Sequence, residues 1–205
     1  MPNQPNIAPR RMPRQARSTE TLERILDAAA RVFSDHGYAA GTTNRIAAEA
    51  SMSIGSLYQY FPNKDAILVA LARRHMCDTT ERLRQAFIVH AGSQGSDVVA
   101  VIVAVIDTMV DVHAADADLH QVVFGQAPRP AELAAELAAI EQELVTVVSS
   151  FLGGADATDA EHFADVARIA VATVESLVHR MVATRQPPMD TARFRDELVA
   201  MVTGY

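Results

Sequence analysis

At 205 residues, 49% of them apolar, the chain is long enough to bury the core of one or two domains, and its single cysteine, Cys77, excludes an internal disulfide framework. The formal charge of −7 is unevenly divided: residues 1–75 hold ten Lys/Arg against six Asp/Glu, a net of +4, and residues 76–205 hold eight against nineteen, a net of −11. A basic head on an acidic body suits a nucleic-acid-binding module joined to a domain that stays off the polyanion.

Residues 1–17 contain Pro2, Pro5, Pro9 and Pro13 and lack any apolar period or apolar core, so they read as a disordered arm rather than a signal peptide. Arg10, Arg11, Arg14 and Arg17 in this arm either track phosphates or the minor groove beside a main site, or simply solubilise the tail.

Ser18 or Thr19 is expected to cap a first helix, with Glu20 in its opening turn, where the helix dipole favours an acid. Leu22, Ile25, Leu26, Ala29, Val32 and Phe33 recur at helical spacing as one apolar stripe, and Gly37 ends it. Tyr38 then packs beneath the next two helices.

The stretch from Thr42 to Lys64, TTNRIAAEASMSIGSLYQYFPNK, carries the strongest signal in the chain. Thr42 caps a short helix whose inner face is Ile46, Ala47 and Ala50; Ser51-Met52-Ser53 is a tight turn; and Ser53 caps a second helix. Leu57 and Phe61, four residues apart, point inward and leave Gly55, Ser56, Tyr58 and Gln59 outward. This is a helix-turn-helix, with its second helix as the reader in the major groove. Asn63 caps a fourth helix that runs from Lys64 to about His90, a rod joining the head to the body.

TTNRIA, SIGSLYQYFPNK and the amphipathic helix before them, with Gly37-Tyr38, Leu57-Tyr58, Tyr60-Phe61 and Asn63-Lys64 in order, resemble the DNA-binding domain of the tetracycline-repressor (TetR) family of bacterial transcription regulators. The resemblance covers Thr19 to about Arg74. Ser51 departs from it, standing where the family usually has a glycine at positive φ, a substitution that costs roughly 1 kcal/mol. By this likeness Thr42, Thr43, Tyr58, Tyr60 and Lys64 are phosphate contacts, which position without specifying. Asn44, Ile54, Gly55, Ser56 and Gln59 face the groove: Gln59 suits adenine, Ile54 a thymine methyl, and Gly55 a close backbone approach. Ile54 stands where the family often has a polar residue.

Beyond the head, a helix is expected from Asp97 to Ala115. Its Val98–Ile106 run is far short of the ~20 apolar residues that span a bilayer. A short segment follows over Asp118–Gly125. Pro128-Arg129-Pro130 launches a helix from Ala131 to Leu152, which Gly153-Gly154 breaks; Glu132, Glu136, Glu141 and Glu143 mark its wet side. A helix from about Thr158 to Thr184 carries Phe163, Val166, Ile169, Val174, Leu177, Val178 and Met181. Pro187-Pro188 stops it, and Asp190 or Thr191 starts a last helix through Phe194, Leu198 and Met201. The fold class is all-α, about nine helices, divided into the arm 1–17, a helix-turn-helix domain over 18–66 and a helical body over 67–205.

No nucleophile motif, phosphate loop or paired catalytic carboxylates stand out, so no enzyme activity and no cofactor are expected. Cys77 and the scattered His75, His113, His120, His162 and His179 show no ligand spacing, and no metal is expected. The resemblance implies a small-molecule pocket in the body, for which Phe87, Met109, His113, His120, Phe124, Phe151 and Met181 are candidates, although ordinary core packing is the expected role of more such residues than ligand contact is. It also implies a homodimer through the last two helices, matched to a palindromic operator in double-stranded DNA. The expected function is an effector-released repressor in the cytoplasm, with no membrane role. The rival is a helical ligand- or partner-binding protein whose head binds DNA architecturally, without an effector.

Overall fold

The computed structural model describes residues 16–91, 98–115, 117–126, 130–153, 159–184 and 190–204. The expected arm up to residue 15, the loop after Ala91, Pro128-Arg129, Gly154, Thr158 and Pro187-Pro188 lie outside them. Among the described residues there are nine α-helices, one π-helical turn and no strand. The Val- and Ile-rich run of 98–106 is helical, as its length and setting predicted. The chain divides into two compact units, Met1–His75 with Ala117–Arg129, and Met76–Asp116 with Pro130–Tyr205.

In the first unit, α1 spans Ala16–Ala40. It has begun by Ala16, so Ser18 and Thr19 lie inside it and neither is its cap; Ala16 and Arg17 are good helix formers and carry the helix upstream. Gly37, at φ 71° and ψ 170°, kinks it as a residue without a Cβ can, and a further turn follows to Ala40. The Gly41 N–H then donates to the Gly37 carbonyl at 3.0 Å. A Cβ at Gly41 would lie 2.4 Å from Phe33 Cδ1, so only glycine lets the chain pass the Phe33 ring at this distance.

Helices α2 (Thr43–Glu49) and α3 (Ile54–Tyr60) follow. Thr42 accepts from the Arg45 N–H at 3.3 Å and Ser53 from the Ser56 N–H at 3.1 Å, the two expected caps. Between the helices Ser51 holds φ 53°, the one non-glycine at positive φ among the described residues. The Ser51 N–H donates to Ala48 O and the Met52 N–H to Ala47 O, the paired bonds of a Schellman ending, which calls for a left-handed residue where Ser51 stands. Ile46, Ala47, Ala50, Leu57 and Phe61 are buried, as are Ile25, Ala28, Ala29, Val32 and Phe33 of α1 and Ala66, Ile67, Val69 and Leu71 of α4 (Lys64–Ala91). Asn63 Oδ1 accepts from the Ala66 N–H at 2.8 Å and caps α4. Short α6 (Ala117–His120) and the π-helical turn Gln121–Gln126 pack on α1, burying Leu119, Val122 and Val123. The Arg74 guanidinium reaches Glu23 at 3.1 Å and Asp27 at 2.8 Å on α1.

The second unit holds α4 from Met76 on, α5 (Val98–Ala115), α7 (Ala131–Gly153), α8 (Ala160–Thr184) and α9 (Thr191–Thr203). Ile106, Met109 and Val110 of α5 form one core with Val174 and Val178 of α8 and Leu198 of α9. Val145 of α7 forms another with Ala167 and Val171 of α8, and α7 and α8 lie side by side. Asp190 caps α9, accepting from the Arg193 N–H at 2.7 Å. The last two helices also keep apolar side chains outside: Val166 and Ile169 of α8 are 38% and 68% exposed, and Met201 of α9 is 54% exposed.

Candidate nucleic-acid interface

The expected contacts of the helix-turn-helix itself are found on or beside α2, α3 and the start of α4. Thr42, Asn44, Ile54, Gly55, Tyr58 and Gln59 are exposed, and Thr43, Ser56, Tyr60 and Lys64 are half-buried. Burial of Leu57 and Phe61 fixes the rotation of α3, since a helix turning these two inward presents positions 54, 55, 58 and 59 to the outside. The Thr43 hydroxyl lies 3.3 Å from the Tyr58 hydroxyl, which joins α2 and α3 on this side. Ser53 and Ser56 hydroxyls are 2.8 Å apart at the start of α3.

Two features of this surface lie outside the expected set. Lys64 Nζ donates to the Tyr38 carbonyl at 2.9 Å and reaches the Ala39 carbonyl at 3.4 Å, while lying 4.1 Å over the Tyr38 ring. It therefore closes the carbonyl end of α1, and of its three N–H donors one is left over after these two bonds. The Tyr38 hydroxyl donates to Asp65 Oδ1. Burial, then the hydrogen bond and charge of Asp65, hold the Tyr38 phenol well above its ordinary pKa. Arg45, exposed beside Asn44, adds to α2 a cation outside the expected contact set; its charge inside a helix-turn-helix was the available signal.

In the body, the pocket candidates sit among aromatic, histidine and methionine contacts. Phe87 and Phe151 meet edge-on with centroids 5.4 Å apart. Met109 is part of the α5–α8–α9 core, with Met181 packed against it. His113 is buried, its Nδ1–H donating to the Met109 carbonyl at 2.7 Å, and burial lowers its pKa despite that bond. His120 is also buried, with its ring 4.6 Å from Phe124 and 5.6 Å from His75. An open groove of about 470 Å³ runs between α5 and α9, lined by Val99, Val103, Asp107, Arg195, Val199 and Thr203. None of the seven candidates lines it.

Two family models cover most of the chain: bacterial regulatory proteins of the tetR family match residues 25–71, and the tetracyclin repressor-like C-terminal domain matches residues 97–205. The chain belongs to the TetR family. Among curated relatives, the A-factor receptor protein of Streptomyces griseus is 42% identical over 60 residues, which are 29% of this chain and 22% of that protein. The curated relatives matched are spanned over 22% to 34% of their own length. Among solved structures, a TetR-like transcriptional regulator from Rhodococcus sp. RHA1 is 23% identical at a TM-score of 0.65, over 94% of this chain and 97% of that one. AibR, solved with isovaleryl coenzyme A and operator DNA, is 17% identical at a TM-score of 0.64, over 88% of this chain and 97% of that one. At these identities the two structures share the fold with this TetR-family chain. No helix among the described residues is long and apolar enough to cross a membrane.

Proposed function

We propose that this TetR-family chain is a cytoplasmic, homodimeric repressor that binds a palindromic operator and is released by a small-molecule effector. The observation that carries the reading is the rotation of α3, which buries Leu57 and Phe61 and exposes Ile54, Gly55, Tyr58 and Gln59. Thr42, Thr43, Tyr58, Tyr60 and Lys64 hold phosphates; Asn44, Ile54, Gly55, Ser56 and Gln59 read or approach base edges. One such head covers one half-site, and a two-fold pair covers both, about 34 Å apart. The outward Val166, Ile169 and Met201 support pairing through α8 and α9.

The effector acts by binding one conformer of the dimer better than the other. A coupling of about 1–3 kcal/mol changes operator affinity roughly 5- to 150-fold. The candidates for its pocket are Phe87, Met109, His113, His120, Phe124, Phe151 and Met181. AibR holds an acyl-coenzyme A, so thioesters of this kind head the effectors to screen. The reading is tested by selecting random duplexes with the purified protein. An enriched inverted repeat bound far above random DNA supports it, and weak, salt-sensitive binding without enrichment overturns it.

A further inference from the structure

His113 on α5 and His179 on α8 stand 66 positions apart in the chain, and their Nε2 atoms are 3.1 Å apart. The Nδ1 of His113 faces the Met109 carbonyl, which can only accept, so Nδ1 carries the proton and Nε2 presents a lone pair toward His179. A histidine whose second nitrogen is tied to a backbone carbonyl is oriented as metal-binding histidines commonly are. His113 is 3% exposed, and desolvation favours its neutral, ligating form.

The ring positions are compatible with two uses of such a pair, an N–H···N bond and a shared ion. A head-on N–H···N bond of this length would place the centroids about 5.4 Å apart, because both rings extend along the bond axis. The observed centroids are 4.8 Å apart, with the planes at 45°. The ring axes are therefore not collinear, a bend that an N–H···N bond tolerates and that an ion held between the two nitrogens would also require. An ion about 2.05 Å from each nitrogen would see them at an angle of about 98°, between the octahedral and tetrahedral values, and would place the centroids about 4.8 Å apart.

We propose that His113 and His179 together bind a divalent transition-metal ion of the zinc, cobalt, nickel or copper kind, clipping α5 to α8. Both imidazoles ligate as neutral rings. His113 is already in the required tautomer; His179 carries its proton on Nδ1 in the bound state, so the pair releases no proton. His179 is half-buried, which gives the ion an approach and leaves its other positions to water or to an anionic ligand. Imidazole suits these metals and disfavours magnesium and calcium, which prefer oxygen. The proposal does not depend on operator recognition.

The test uses the full chain, purified without a histidine tag and stripped with chelator, titrated with zinc and with cobalt. One ion per chain is expected to bind saturably, to raise the Tm, and with cobalt to give the visible bands of a nitrogen-ligated, low-coordinate ion. His179→Gln, at a half-buried position, is expected to fold with its metal-free Tm near that of the parent and to weaken binding at least about tenfold. His162→Gln, on the exposed start of α8, should bind as the parent does. Absence of saturable binding, or binding unchanged by His179→Gln, overturns the proposal; magnesium competing with zinc would overturn it as well.

Discussion

Lys64 Nζ, 2.9 Å from the Tyr38 carbonyl and 4.1 Å over the ring of the same residue, ties the last turn of α1 to the first turn of α4. The ammonium meets the negative end of a helix dipole and the negative face of a phenol at once. Its unused N–H leaves room for a phosphate as well. Lys64→Met is expected to lower stability by about 1 kcal/mol in urea unfolding. It should also reduce the slope of log K against log salt by about 0.9, the share of one phosphate. A stability loss with the slope unchanged would make Lys64 a brace alone.

Tyr38 and Asp65 bring a pH dependence at the alkaline end. The phenol's pKa is raised in the folded state, so its contribution is fully present below the unfolded value near 10 and is lost as pH climbs toward the folded value. Tyr38→Phe is expected to cost about 1 kcal/mol at neutral pH and to flatten the decline in stability above about pH 10. Urea midpoints measured on both proteins across that range check the sign.

Ser51 holds a left-handed conformation that its Cβ disfavours. Ser51→Gly should raise stability by about 0.5 kcal/mol, the strain relieved less the extra entropy of an unfolded glycine. Ser51→Val should lower it by more than about 1 kcal/mol, since a β-branched residue tolerates positive φ least. Thermal unfolding of the three proteins gives the order directly.

Tyr58 and Gln59 are adjacent and exposed, yet different outcomes are expected from them. Tyr58→Phe removes a hydroxyl that lies 3.3 Å from Thr43, and should weaken binding to all duplexes alike. With Thr43→Val it should be less than additive, because each substitution breaks the same contact. Gln59→Ala should relax preference at one base pair by about 1–3 kcal/mol and leave non-specific binding intact. Binding assays on the selected duplex and its single-base variants separate the two roles.

The head was legible in the sequence because its determinants are local. Thr42, Ser53 and Asn63 cap helices that start within a residue or two of them, Gly37 breaks the first helix where its end was expected, and Leu57 with Phe61 fixes a helix face through a spacing of four. Ser18 and Thr19 misled because a cap-forming residue looks alike in sequence whether it stands at a helix start or two residues inside one. The body was legible as helices, but the side-chain pairings between those helices were not. His113 reaches His179, and Phe87 reaches Phe151, through packing of helices far apart in sequence, for which no spacing rule exists. The Lys64 brace was hidden for the same reason: its partners are carbonyls, which no residue type encodes.

Gly41 restricts how this head can vary. Every single-base change of a glycine codon that is not silent specifies a side chain with a Cβ or a stop, and any Cβ here is driven to 2.4 Å from the Phe33 ring, which is itself fully enclosed. The resulting overpacking costs about 1–3 kcal/mol, a large part of what a small domain has to lose. Trimming Phe33, for instance to leucine, eases the two shortest of these contacts and leaves the Gly37 carbonyl oxygen at 3.0 Å, so change at Gly41 is favoured in lineages that have first trimmed Phe33. Gly41→Ala should be poorly tolerated alone and recover stability in the Phe33→Leu background, so the order in which the two substitutions arise decides whether the intermediate folds.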